Sequence, residues 1–227
     1  MRIQLVLSPN IHPVPFSYLQ DLRFALHSWL GPNDIHDDLS LYSIGWLKGG
    51  EKLGRGLHFP QGATWNLGFY DSDLGWELAK GILKNKKLAY GMIVEKVLEI
   101  PTPQFESPMR FGVDGLVLVR DKRDDGSREC ILWNDIRSDI LLTDRLIQKM
   151  KKAGLDSKHH AVKVRFDRTY IKARDKVMTA KRMAGGKDIQ HKGSVCPVIV
   201  EGTPEAIEFA WLVGLGDLTG SGFGALI

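Results

Sequence analysis

Seven histidines, His12, His27, His36, His58, His159, His160 and His191, are the side chains in this sequence best suited to moving protons near neutral pH, because an unperturbed imidazole titrates near 6.5. Within reach of a reacting hydroxyl or a leaving oxygen, such a ring serves as general base or general acid. No two of them stand at the spacing of a metal motif such as HExxH, and neither Cys130 nor Cys196 joins them. Asp34, Asp37 and Asp38 flank His36, but this set matches no recognised ligand pattern. Metal-independent acid–base chemistry is therefore the expectation, with no metal and no cofactor.

Positive charge is concentrated in one stretch. Between residues 158 and 192 there are eleven Lys and Arg against three Asp, a net +8 in a chain whose total is +4, so the remainder carries −4. Lys163 and Arg165 would share one face of a strand, and Arg168, Lys172, Arg174 and Lys176 the other, with Lys181 and Arg182 beyond. A basic stripe is the footprint of phosphate binding; lysine on an exposed strand edge also guards against aggregation.

The C-terminal segment repeats glycine at Gly214, Gly216, Gly220, Gly222 and Gly224. Glycine serves where φ must be positive or where backbone approaches a ligand closely, and freed N–H groups in such a loop can cradle phosphate oxygens. A helix cap followed by a tight turn is the alternative. A dinucleotide fingerprint is excluded, since the glycines follow an apolar run and only three residues remain after Gly224. A Walker loop is excluded by the lack of a closing Lys-Ser or Lys-Thr.

The elements that position these groups follow from periodicity. Arg2–Ser8 alternates as a strand, and Leu19, Leu22, Phe24, Ala25, Leu26 and Trp29 mark a helix over 16–30, stopped at Gly31-Pro32. Strands are predicted over 39–46 and 64–70, with a polar, Gly-rich loop over 48–62 between them. A helix over 74–83 capped by Ser72-Asp73 and a long strand over 88–100 complete a β-α-β-β-α-β order.

Pro101-Thr-Pro103 marks a boundary, giving expected domains of 1–101 and 105–227. The second half reads as a strand over 109–119, a charged turn over 121–126 and a short returning strand over 129–133. An amphipathic helix over 138–153 follows, with Ile140, Leu141, Leu142, Leu146, Ile147 and Met150 on one stripe. Then come a strand over 161–173, a polar segment over 175–191, an edge strand over 195–200 suggested by Cys196-Pro197, and a helix over 204–213. A second β-α-β-β-α-β can be laid over it. The fold class is α+β.

At 43% apolar and 26% charged over 227 residues, the composition is that of a globular protein. Two isolated cysteines fit a reducing cytosol, and no apolar run of 18 residues or signal-peptide core is present. A cytoplasmic protein without a membrane partner is expected.

The helix followed by Gly214-x-Gly216 and Gly220-x-Gly222-Phe223-Gly224 resembles the C-terminal signature of the repeat-associated RNA-binding proteins of CRISPR systems, and more narrowly the repeat-processing endoribonucleases of the Cas6 family. The stretch from Asp34 to Ser43 resembles the family segment in which a histidine follows the first helix, and the family's catalytic histidine matches His36. The resemblance implies two tandem ferredoxin-like domains and metal-independent cleavage of CRISPR repeat RNA. In that reaction a 2′-hydroxyl attacks the adjacent phosphate, leaving a 2′,3′-cyclic phosphate and a 5′-hydroxyl.

A non-catalytic RNA-binding subunit is the alternative it leaves. Repeat RNA is the implied partner, with other CRISPR effector subunits and a second copy of the chain as further ones. Two positions depart from the family pattern. Phe24 stands where relatives often carry a tyrosine, so His27, one turn later, takes that role. Asp37 and Asp38 stand where relatives place a lysine, so the cation comes from Lys52, with Lys48 and Arg55 in the same loop and His58 beside them.

Overall fold

The computed structural model describes residues 1–32, 39–171, 177–184 and 187–227. In the first half, β1 (Arg2–Leu7) is followed by the two-residue β2 (Val14–Pro15), α1 (Leu19–Leu30), β3 (Tyr42–Ile44), β4 (Glu51–Leu53), β5 (Gly56–His58), β6 (Ala63–Phe69), α2 (Ser72–Lys84) and β7 (Val94–Glu99). β1 sends Ile3, Leu5 and Leu7 to the core and pairs antiparallel with β6 on one side and β7 on the other, while β3 adds to β6. The resulting order, β3-β6-β1-β7, is ferredoxin-like.

Helix α1 buries Leu19, Leu22, Leu26 and Trp29 and ends where Gly31, at φ 68°, donates its N–H to the His27 carbonyl. The cap of α2 is Asp71 rather than Ser72-Asp73: its carboxylate accepts the Asp73 N–H at 2.9 Å. Gly81 lets α2 approach the Trp29 carbonyl of α1 so closely that a Cβ would sit 1.9 Å from that oxygen.

Two expectations for this half change. The loop predicted over 48–62 contains the hairpin β4–β5, turned at Gly54 (φ 60°) and extended by β2; three-residue strands are too short to register as alternation. The strand predicted over 88–100 opens as a 3₁₀ turn at Ala89–Gly91, and only Val94–Glu99 pairs as β7.

The second half runs β8 (Met109–Phe111), β9 (Val113–Asp114), β10 (Arg120–Lys122), β11 (Arg128–Cys130), α3 (Arg137–Lys152), β12 (Lys163–Phe166), α4 (Arg168–Ile171), β13 (Val177–Ala184), β14 (Lys187–Ser194), β15 (Val198–Glu201), α5 (Pro204–Val213) and β16 (Ala225–Leu226). β15 lies between β12 and β8, and β9, continuing from β8 past Gly112, pairs with β16. The same strand order recurs, so the chain is an α+β protein of two tandem ferredoxin-like units.

Here too the sequence misleads at particular residues. The strand expected over 161–173 stops at Phe166, because the Asp167 carboxylate accepts the N–H groups of Thr169 and Tyr170 and starts α4. Arg168 is therefore helical, and the other members of its predicted strand face, Lys172, Arg174 and Lys176, lie outside the described residues. Cys196-Pro197 does not mark an edge: β15 is central, and Pro197 precedes it, using only its carbonyl, which accepts the Asp167 N–H. Ile140 is 60% exposed rather than part of the buried stripe of α3, which instead buries Lys149 with Leu142, Leu146 and Met150.

Two apolar clusters form the interior. The first joins β1, β3, β6, α1 and α2 with Leu116, Leu118 and Phe223 from the second half. The other joins α3, β12, β15 and α5. Between them, the Ser43 hydroxyl donates to the Leu212 carbonyl at 2.8 Å. Arg2 lies over the Trp211 ring and donates to the Trp211 and Leu226 carbonyls. The buried Asp114 carboxylate accepts from the Trp46 N–H and the Asn66 amide and faces Lys48 Nζ at 3.5 Å.

Candidate functional site

The C-terminal glycine segment is a packed loop between the two sheets. Its five predicted glycines are buried. A Cβ at Gly224 (φ 69°) would stand 1.8 Å from the Leu215 carbonyl oxygen, and one at Gly216 (φ 78°) 2.4 Å from that of Leu118. The Gly214 N–H donates to Ala210, that of Gly222 to Thr219 and that of Gly224 to Leu116. Helix capping and the close approach of the halves thus engage these three N–H groups, as the helix-cap alternative expects.

The loop is held by Lys149, whose Nζ donates to the Val213 and Gly214 carbonyls (3.1 and 3.3 Å) and to Thr219 Oγ1 (2.9 Å). Thr219 Oγ1 donates onward to the Tyr42 carbonyl. Burial pushes the Lys149 ammonium down to about 7, with the Asp217 charge opposing.

Where this loop meets α1, Leu19, Gln20, Arg23 and Ser221 line a small recess. Gln20 Oε1 is buried there without a hydrogen-bond partner. Arg23 is half-buried, and among the described residues no carboxylate pairs with it. Burial pushes the Tyr42 phenol up, while the Arg23 charge and a hydrogen bond with Ser40 act the other way. Arg23 was not among the sequence candidates; a lone arginine on an amphipathic helix carries no signal until its neighbours are known.

His36 lies outside the described residues, as do Lys172, Arg174 and Lys176. His27 occupies the last turn of α1, with both ring nitrogens buried, and Phe24, three residues before it, is 61% exposed. Lys52 is exposed on β4. Lys181 and Arg182 fall on β13, which packs against α1. The β13–β14 hairpin is rooted in the seam: Ser194 and Val117 exchange N–H···O bonds, and the His191 ring stands edge-on to Phe223 at 5.3 Å. The fold therefore brings together α1, the glycine loop and the basic hairpin. Arg165 and Arg168 are engaged otherwise, the first with Glu201 at 3.3 Å and the second with Asp139.

A second basic feature, not anticipated from sequence, lies at the other end of the glycine loop. Arg120 Nε and Arg145 Nε both reach Asp217, at 3.4 and 3.3 Å, on the wall of a groove of about 380 Å³ that Leu39, Lys122 and Arg128 also line. Lys152 Nζ donates to the Leu39 carbonyl at 2.9 Å and fixes that wall. Among the described residues, no cluster of three or more His, Cys, Asp or Glu is placed to hold a metal, and no helix is long and apolar enough to cross a membrane.

Solved structures share this architecture over the whole chain. A Cas6-related protein from Pyrococcus furiosus superimposes with a TM-score of 0.85 at 15% identity, covering 100% of this chain and 97% of its own. A protein described as an RAMP protein binding different RNA substrates gives 0.84 at 17%, covering 100% and 99%. A CRISPR-associated protein Cas6 gives 0.79 at 16%, covering 100% and 98%. At these identities the likeness is one of fold. No curated protein matches the sequence. The family model for the C-terminal part of CRISPR-associated protein Cas6 matches residues 107–226, just over half of the chain, including the glycine loop, the basic hairpin and every lining residue of the groove except Leu39, and the chain accordingly belongs to the Cas6 family.

Proposed function

We propose that this protein cleaves CRISPR repeat RNA without a metal ion, the substrate supplying its own nucleophile. Cas6 proteins bind and process such RNA. In the step proposed here, the 2′-oxygen forms a bond to the adjacent phosphorus as a base removes its proton, and the bond to the 5′-oxygen breaks as an acid protonates that oxygen. The products are a 2′,3′-cyclic phosphate and a 5′-hydroxyl. His36 and His27 take the two proton roles, each transfer contributing roughly 10²–10⁴-fold. The negative charge that builds on phosphorus calls for a fixed cation.

Arg23 meets that need better than Lys52. The single observation that carries this reading is the Arg23 guanidinium. It is half-buried and has no carboxylate among the described residues. It stands where α1 meets the glycine loop, on the helix whose chain runs on into the His36 segment. An uncompensated charge at a partly dry seam favours an anionic ligand.

The test is incubation of end-labelled repeat RNA with the protein in EDTA. Wild type is expected to cut, and His36→Ala and Arg23→Ala to bind but not cut. Activity that EDTA abolishes would replace this reading with a metal-dependent one. A second reading, an RNA-binding subunit that does not cut, is favoured by Phe24, which is exposed and lacks the hydroxyl often found at that position in relatives. It predicts binding without cleavage by wild type as well.

A further inference from the structure

We infer that the groove between α3, the β10–β11 hairpin and the start of the glycine loop is a second RNA-backbone site, in which Arg120 and Arg145 grip a phosphate and Lys122 and Arg128 hold its neighbour. The inference rests on the reading that this chain binds repeat RNA, and adds where part of that RNA runs.

The groove is built around Asp217. One carboxylate oxygen accepts the Arg120 N–H at 2.8 Å and faces its Nε at 3.4 Å, and the other faces Arg145 Nε at 3.3 Å. One negative charge thus fixes two guanidinium groups through their Nε edges. Arg145 spends one further donor on Gln148, and the remaining ends stay available in a groove of about 380 Å³. The planar fork of arginine matches two phosphate oxygens at once, and prior orientation reduces the entropy lost on binding.

Lys122 and Arg128 are exposed on the adjoining strands and form no ion pair among the described residues. The other lining carboxylate, Asp121, is drawn toward Arg137 at 3.4 Å. With two lining carboxylates against four lining cations, the groove has a net charge of +2. This contrasts with Arg165 and Arg168, each opposed by its own carboxylate.

The position of the groove argues for a polymer rather than a free anion. Asp217 and Ser221 are four residues apart on one loop, so the groove and the Arg23 recess are its two ends. Leu39, three positions after His36, forms part of the wall, and three residues of chain span at most about 11 Å. A strand presenting one phosphate at Arg23 can set a further one in the groove.

The experiment compares wild type with Lys122→Ala/Arg128→Ala and with Arg145→Gln in filter binding of uncleaved repeat RNA, from about 50 to about 200 mM salt, the range over which phosphate contacts are read. Circular dichroism melting checks that the variants fold. Loss of the two outer cations is expected to weaken binding roughly tenfold at the lower salt and to reduce the slope of log K against log salt by about 1.4 for a single strand. Arg145→Gln is expected to weaken binding with about half that change in slope. Unchanged affinity and slope in both variants, with wild type still binding, would overturn the groove alone and leave repeat-RNA binding standing. Failure of wild type to bind would remove both. Weakened binding by the variants, in a protein that binds but never cuts, would uphold the groove and sink the nuclease.

Discussion

Lys149 Nζ lies 2.9 Å from Thr219 Oγ1, a contact that ties the last turn of α3 to the loop joining both sheets. The ammonium has two further acceptors, the carbonyls at the end of α5, where the helix dipole favours a cation, yet its full burial disfavours charge.

A pH dependence follows. Burial lowers the folded-state value of Lys149 to about 7 from 10.5. Between those values the unfolded chain holds a proton that the folded chain does not. For this group, therefore, stability rises with pH across that interval and is lowest below about 7. Urea midpoints measured from pH 6.5 to 9.5 should climb in wild type. Lys149→Met should flatten the climb and also leave the hydroxyl and two carbonyls without their donor, at about 1–3 kcal/mol.

Arg23→Gln should lower the cleavage rate by roughly 10²–10³ in single-turnover assays, the scale expected for removing one electrostatic contact to a transition state. Its RNA affinity should fall by much less than its rate. A fall confined to affinity would make Arg23 a positioning residue.

Gly224→Ala places a methyl group 1.8 Å from the Leu215 carbonyl at a φ of 69°. The backbone must shift, and a destabilisation of about 3 kcal/mol or more is expected from strain and lost packing. Gly126→Ala, in the open turn of the β10–β11 hairpin where a Cβ meets nothing within 4 Å, should cost no more than about 1–2 kcal/mol from its positive φ alone. Thermal melting of the pair separates packing from conformation.

Lysine and arginine changes between 163 and 182 should weaken RNA binding and flatten its salt dependence, but unequally. Arg165 is already opposed by Glu201, so Arg165→Ala should change the slope by less than Lys163→Ala. Equal effects from both would mean that the Glu201 pair opens when RNA binds.

The sequence was most legible where one element reads as one pattern. The alternation of β1, the stripe of α1 apart from the exposed Phe24, and the bounds of α5 follow from their own residues, as does the β-α-β-β-α-β order. It was least legible where a residue's role depends on remote partners. The glycines stood out at once, but their spacing could not tell N–H groups facing a ligand from N–H groups facing Leu116 or Ala210. The groove draws on residues 39, 120–122, 128, 145, 148 and 217, too far apart to form a motif. Arg168 left its predicted strand because one carboxylate, Asp167, started a helical turn. His36, the strongest candidate from resemblance, falls among residues the structure does not describe.

Phe223 completes the cluster built by β1, β3, β6, α1 and α2. An apolar interior whose final piece arrives some two hundred positions after its first cannot close while the ribosome is still making the middle of the chain. The leading half must therefore wait, partly open, for the trailing loop, and folding of the two units is expected to be slow and mutually dependent.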